Sequence, residues 1–361
     1  MRYIKEFNSF LIKEAVGLAE PSIIYSDFLL SEISDFIELF IDSNDKKFNQ
    51  VKIYDIGETE LIDNKLWPDY PVSKIKISYD FSRLTEEELI KKFPNTKQRY
   101  LTTGACYNLT QKESEESSYL LPAIDDRSEN SIYLKMELGV ILIDNFKSIE
   151  NIQQQKEDLI VEIESTIIHE LNHAYESYKR LIGGSGQYST DLTYALDINR
   201  SRIKKEIFKE WSNDIGYFLY WSEKHEMNAM VQESWPYVKR YTPNEMMDKC
   251  PAWKYSKRMR NFSATDFKDK MVKLINLHYP EAIPEILLNR LKNGLANYLD
   301  IQRESSIIEF EDSPSLTGDK IRRMNIDQFL NFCQSRINSS GEKIQRKILK
   351  LYSVKKLDSI I

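Results

Sequence analysis

His169-Glu170-Leu171-Asn172-His173 concentrates the residues in this chain best suited to metal chemistry. Residues four apart share one helical face, so imidazoles at 169 and 173 can reach the same ion. Glu170, beside the first of them, is placed to take a proton from a water that the ion activates. Two solvent-facing or capping histidines on an ordinary helix are the bland alternative. At this chain's own His and Glu frequencies, a chance match to HExxH arises in roughly 1 chain in 250, and two of only four histidines are committed to it. The motif therefore points to a metal site.

A catalytic zinc takes three protein ligands and keeps one position open. A third histidine is not offered where a longer HExxHxxGxxH motif would need it, between Tyr178 and Arg180. Farther on, Ser222 to Glu233 forms one predicted helix carrying Glu223, His225, Glu226 and Glu233, all capable donors. For each of these four the alternative is a solvated helix face, and for at least two it must hold. Asn172 and Glu176 are candidates to orient the imidazoles from behind. His278, at a predicted helix end, reads as structural.

The elements that position these residues follow from periodicity. Apolar residues at 159, 163, 167, 171, 174 and 178 predict a helix over about 156–181, with the histidines on a different face. The glycines at 183, 184 and 186 end it. Just before it, Ile132 to Ile143 is apolar at every even position, which predicts a half-buried strand. Residues 23–42 suit a helix, 51–54 and 75–79 short strands, and 85–93 a helix ending before Pro94. The polar stretch 111–131 reads as an exposed excursion. From about 194 onward the pattern is helical, punctuated by Pro236, Pro243, Pro251, Pro280, Pro284 and Pro314. The aromatic stretch Trp211 to Trp221 reads as core between the two metal-binding helices in preference to a substrate pocket.

Composition sets outer bounds. A chain of 361 residues, 41% hydrophobic and 29% charged, is ordinary for globular protein. Its net charge of -6 gives no reason to expect nucleic acid. The basic run Lys254 to Arg260 reads as a solvated helix face. No stretch approaches the ~20 apolar residues of a membrane span. Cys106, Cys250 and Cys333 are scattered and odd in number, so a reducing, cytoplasmic compartment is expected.

His169-Glu170-Leu171-Asn172-His173 on a helix after a strand resembles the zincin superfamily of metallopeptidases. The resemblance covers about residues 130–240. It implies a Zn²⁺ ion, a protein or peptide substrate, and a helix packed behind a sheet whose edge strand binds extended substrate; strand 132–143 resembles that strand. In the thermolysin-like branch the third ligand is a glutamate on a later helix with a small residue after it. Glu226 followed by Ala229 fits that pattern best, with Glu223, Glu233 and His225 as alternatives. The family also uses a Tyr or His to stabilise the oxyanion, for which His225 is the candidate beside Tyr217, Tyr220 and Tyr237.

A second resemblance concerns the start. MRYIKEFNSFLIKEA, amphipathic on a helix, looks like the head-targeting sequences of internal head proteins in T4-like bacteriophages. Leu18-Ala19-Glu20 is similar to the sites that phage head-maturation proteases cut, although Pro21 departs from the usual small residue. That implies association with a phage head or virion. A phage-associated structural or binding protein keeping the zincin fold with little or no turnover is then the competing reading. The expected organisation is α+β: a leader at 1–20, a mixed region at 21–130, a zincin-like core at 131–240 and a helical region at 241–361.

Overall fold

The computed structural model of the chain describes residues 20–43, 45–55, 72–92, 100–109, 132–146, 150–182, 203–304 and 317–358. The amphipathic start at 1–15, the excursion at 111–131, the glycines at 183–186 and Pro314 lie outside the described residues. The fold is α+β, mostly helical with one four-stranded mixed sheet. The chain divides into two compact units, one of residues 1–178, 232–241 and 354–361, the other of residues 179–231 and 242–353.

In the first unit the strands are β1 (Lys47–Asp55), β2 (Val72–Leu84), β3 (Tyr100–Leu109) and β4 (Ile132–Ile143), in the order β1-β2-β4-β3. β4 runs parallel to β2 and antiparallel to β3. The even residues Met136, Leu138, Val140 and Leu142 are buried, as period two requires. β4 lies inside the sheet, between β2 and β3, so the edge position that goes with the strand it resembles is not its own. Alternation reports one buried face and cannot report which strands lie alongside. The edge next to β4 is β3, a strand the sequence pattern does not announce.

Helix α1 (Glu20–Asp42) buries Leu29, Ile33, Ile37, Phe40 and Ile41, spaced at three and four, in the core of this unit. Its C-terminal carbonyls are collected by Arg83 of β2. The guanidinium donates to Phe40 O at 2.6 Å, Ile41 O at 3.1 Å and Ser43 O at 3.2 Å. A cation at a helix C-terminus satisfies orphan acceptors and meets the negative end of the dipole. Helix α2 (Glu86–Lys92) begins with a reciprocal cap between Thr85 and Glu88. Helix α3 (Ile152–Ile182) carries the HExxH residues. It starts after Asn151, whose φ of 59° suits a short polar side chain. Leu159, Ile163, Ile167 and Leu171 are fully buried in the same core; the side chains of Ala174, Glu176 and Tyr178 lie outside the described residues.

The second unit is helical: α4 (Lys205–Trp211), a π segment (Ser212–Gly216), α5 (Tyr217–Tyr220) and α6 (Lys224–Glu233). α7 (Trp235–Arg240) belongs to the first unit, and α6 ends there at Gln232 and Glu233. The second unit continues with α8 (Pro243–Lys249), α9 (Pro251–Arg260), α10 (Ala264–His278), α11 (Pro284–Glu304), α12 (Gly318–Arg323) and α13 (Ile326–Asp358), the last of which passes into the first unit at Val354. Pro236, Pro243, Pro251 and Pro284 stand in first turns, where a missing N–H costs nothing. Trp211 is fully buried against Phe267 and Phe329 of this unit, ring centroids 5.9 and 6.1 Å away. Trp211 is core, as expected, and the rings beside it come from α10 and α13. Gly341 of α13 lets α9 come close, since a Cβ there would lie 2.6 Å from Ser256 O and Arg260 N. Lys254, Lys257, Arg258 and Arg260 are exposed on α9, as expected of a solvated face. Cys250 and Cys333 are buried, and His278 ends α10.

Candidate metal centre

The face of α3 turned from the apolar core carries most of its polar residues, together with the buried Val161 and Ile168, and several of the polar ones meet the segment 232–241 of the same unit. Asp158 accepts from the Tyr241 hydroxyl at 2.5 Å. Burial first, then that hydrogen bond, pushes the Tyr241 phenol above its ordinary range, so it remains a neutral donor. One turn and a half on, Glu164 is fully buried between Lys239 Nζ at 2.7 Å and Arg240 Nη1 at 2.5 Å. Ser165 Oγ then donates to Glu233 O at 2.8 Å, occupying a carbonyl at the end of α6. These contacts hold the C-terminal end of α6 against α3 at the level of the histidines.

His169 Nδ1 lies 2.5 Å from Glu233 Oε2. With the carboxylate accepting, Nδ1 carries the proton and Nε2 presents its lone pair. That Nε2 stands 3.0 Å from His173 Nε2, the rings crossing at 81° with centroids 4.6 Å apart. Two nitrogens at ~2.0–2.1 Å from one tetrahedral zinc lie roughly 3.4 Å apart, so the pair is close to ligand spacing. Glu226, 1% exposed, is the third candidate donor: His169, His173 and Glu226 each offer one possible ligand atom, and these atoms lie within 4.8 Å of one another. Two imidazoles and one carboxylate are a donor set of the catalytic zinc type, and the further charges of Glu170 and Glu233 favour a cation. The residues fit a metal ion.

Other sequence candidates fall elsewhere. Glu233 is the partner of His169 Nδ1 instead of a member of the ligand group, and Glu223, though buried, stands outside that group as well. Asn172 does not orient an imidazole. Its Oδ1 accepts from Gln232 Nε2, while Asn172 Nδ2 and Gln232 Oε1 have no hydrogen-bond partner among the described residues. His225 belongs to the first turn of α6, but its side chain lies outside the described residues. Tyr237 is buried in α7, Tyr217 is exposed, and Tyr220 ends α5.

Strand β3 adds residues that the sequence reading omits. Thr102 Oγ1 donates to Glu162 Oε1 at 3.2 Å and lies 3.0 Å from Thr166 Oγ1, tying β3 to α3. Thr166 also donates to Glu162 O at 3.0 Å. Two residues along β3, Gly104 stands beside Glu170. Glu233's role had a signal in the sequence, because it follows Glu226 by two helical turns and shares its face. Gly104 and Thr102 had none, since contacts between a strand and a helix 60 or more residues away leave no local pattern. Comparison of the chain with protein-family models, with curated proteins and with solved structures finds no match in any of the three.

Proposed function

We propose that this protein is a zinc-dependent metallopeptidase. The observation that carries the reading is the convergence of His169 Nε2 and His173 Nε2 at 3.0 Å, with His169 fixed from behind by Glu233. A carboxylate behind a ligating imidazole sets the tautomer and raises its basicity. Glu226 completes a three-ligand set, and a zinc ion held there supplies a Lewis acid that polarises a carbonyl and acidifies water. Glu170, one residue from His169, takes the proton of the attacking water and returns it to the leaving amine nitrogen. A carboxylate suits both duties because it accepts and releases one proton without leaving its place on the helix.

Substrate is an extended chain in this reading. Among the described residues β3 pairs only with β4, so its outer edge offers main-chain donors and acceptors to a peptide laid beside it. The deciding comparison is Glu170→Gln against the parent chain on an unstructured protein substrate. The variant should keep about one zinc per chain and lose turnover by roughly 10²–10⁴-fold. Equal and negligible cleavage by both across varied substrates overturns the reading and favours a binding protein.

A further inference from the structure

We infer that Gly104 of edge strand β3 is a positioning residue for Glu170, and that any side chain there would displace the proposed base while leaving the metal ligands in place. This rests on the peptidase reading above. A Cβ built on Gly104 would lie 2.6 Å from Thr166 Cγ2, 2.9 Å from Glu170 Cγ and 3.6 Å from Glu170 Cδ. The first two separations are well inside carbon–carbon contact at ~3.5–4.0 Å. Gly104 does not adopt a left-handed φ, so the requirement is for space and not for backbone freedom.

Neither obstacle gives way easily. Thr166 is β-branched, and its Oγ1 is committed to Glu162 O and Thr102, which restricts its rotation. Glu170 Cγ is near the root of its side chain, so moving it swings the carboxylate. The strand cannot simply step back either. Thr102 is bonded to α3 one turn from Glu170, and Gly104 is paired with Leu138 of β4, itself buried in the core. The backbone of β3 thus forms one wall of the space in which the Glu170 side chain stands. His169 and His173 hold to their partners Glu233 and each other, and neither is among the atoms nearest Gly104.

The test uses the full-length chain with zinc and an unstructured protein substrate, comparing the parent with Gly104→Ala. Gly104→Ala should bind zinc as the parent does and keep KM within about twofold, while kcat falls about tenfold to a hundredfold, the scale of a reacting group misplaced by ~1 Å. A merely structural defect would lower active fraction and zinc content together. Should Gly104→Ala fold poorly, Gly104→Ala/Thr166→Ser decides in its place, since it removes the nearest contact and keeps the hydroxyl bonds. It should fold and still show the reduced kcat, because the Glu170 contact persists. In the metal-free parent, a nuclear Overhauser contact between Gly104 Hα and Glu170 Hγ is expected independently of activity. Absence of that contact, or a kcat within twofold of the parent in the folded variant, overturns the inference alone. An inactive parent with the contact present overturns the peptidase reading instead.

Discussion

At the scale of single residues, the imidazole of His169 has two tasks at its two nitrogens. Nε2 faces His173, and Nδ1 faces Glu233 at 2.5 Å. Replacing Glu233 by Gln leaves the shape but removes the charge and allows the amide to present a donor where an acceptor is needed. Metal affinity should fall about 10–100-fold, measured by competition with a chelator of known affinity. An unchanged affinity would mean that the carboxylate merely touches the ring. Much of this was legible in the chain. Helical spacing alone places His169 and His173 on one face, whereas Glu226 was singled out by the resemblance, whose pattern has a small residue after the glutamate. What spacing does not give is the division of labour between Glu226 and Glu233, which share a helix face two turns apart. That division depends on where α6 ends against α3, fixed by Ser165 and by the pairing of Asn172 with Gln232.

At the scale of elements, α3 is the organising member of the first unit, with an apolar stripe on one side and most of its polar residues on the other. Glu164 fastens α7 to it, and α7 follows directly on the end of α6. The carboxylate is fully buried, whereas Lys239 and Arg240 remain about a third exposed. Cutting back both cations strands a buried charge, and such losses cost about 3–5 kcal/mol. Lys239→Ala/Arg240→Ala should therefore lower stability in urea by that amount, and Glu164→Gln by less. Equal effects would show that the carboxylate is hydrated after all. The elements differ in how well their sequence reveals them. β4 alternates cleanly because one face is buried from Met136 to Leu142. β3 reads Tyr-Leu-Thr-Thr-Gly-Ala-Cys-Tyr-Asn-Leu, with small residues where it meets α3, so no apolar period marks it. The same small residues allow the close approach at Gly104. The feature that hides the strand is the one that brings it to Glu170.

At the scale of the whole molecule, the proposed ligand residues come from α3 and α6, separated in the chain by α4, the π segment, α5 and residues 183–202. An unfolded chain does not hold two imidazoles and a distant carboxylate together, so an ion bound by all three favours the folded form. Zinc at about 100 times its dissociation constant would add ~2.7 kcal/mol to that form. For a unit of this size each kcal/mol raises the midpoint by ~2–4 °C, so the first unit, which holds both imidazoles, should melt ~5–10 °C higher. Calorimetry of the full chain with and without zinc reads the shift directly. His169→Ala/His173→Ala should abolish it without lowering the metal-free midpoint greatly, because both rings are only partly buried. A midpoint that ignores zinc in the parent would mean the donors do not act as one site, whatever their spacing. A shift that survives in the double variant would place the ion elsewhere, and the peptidase reading would fall with it.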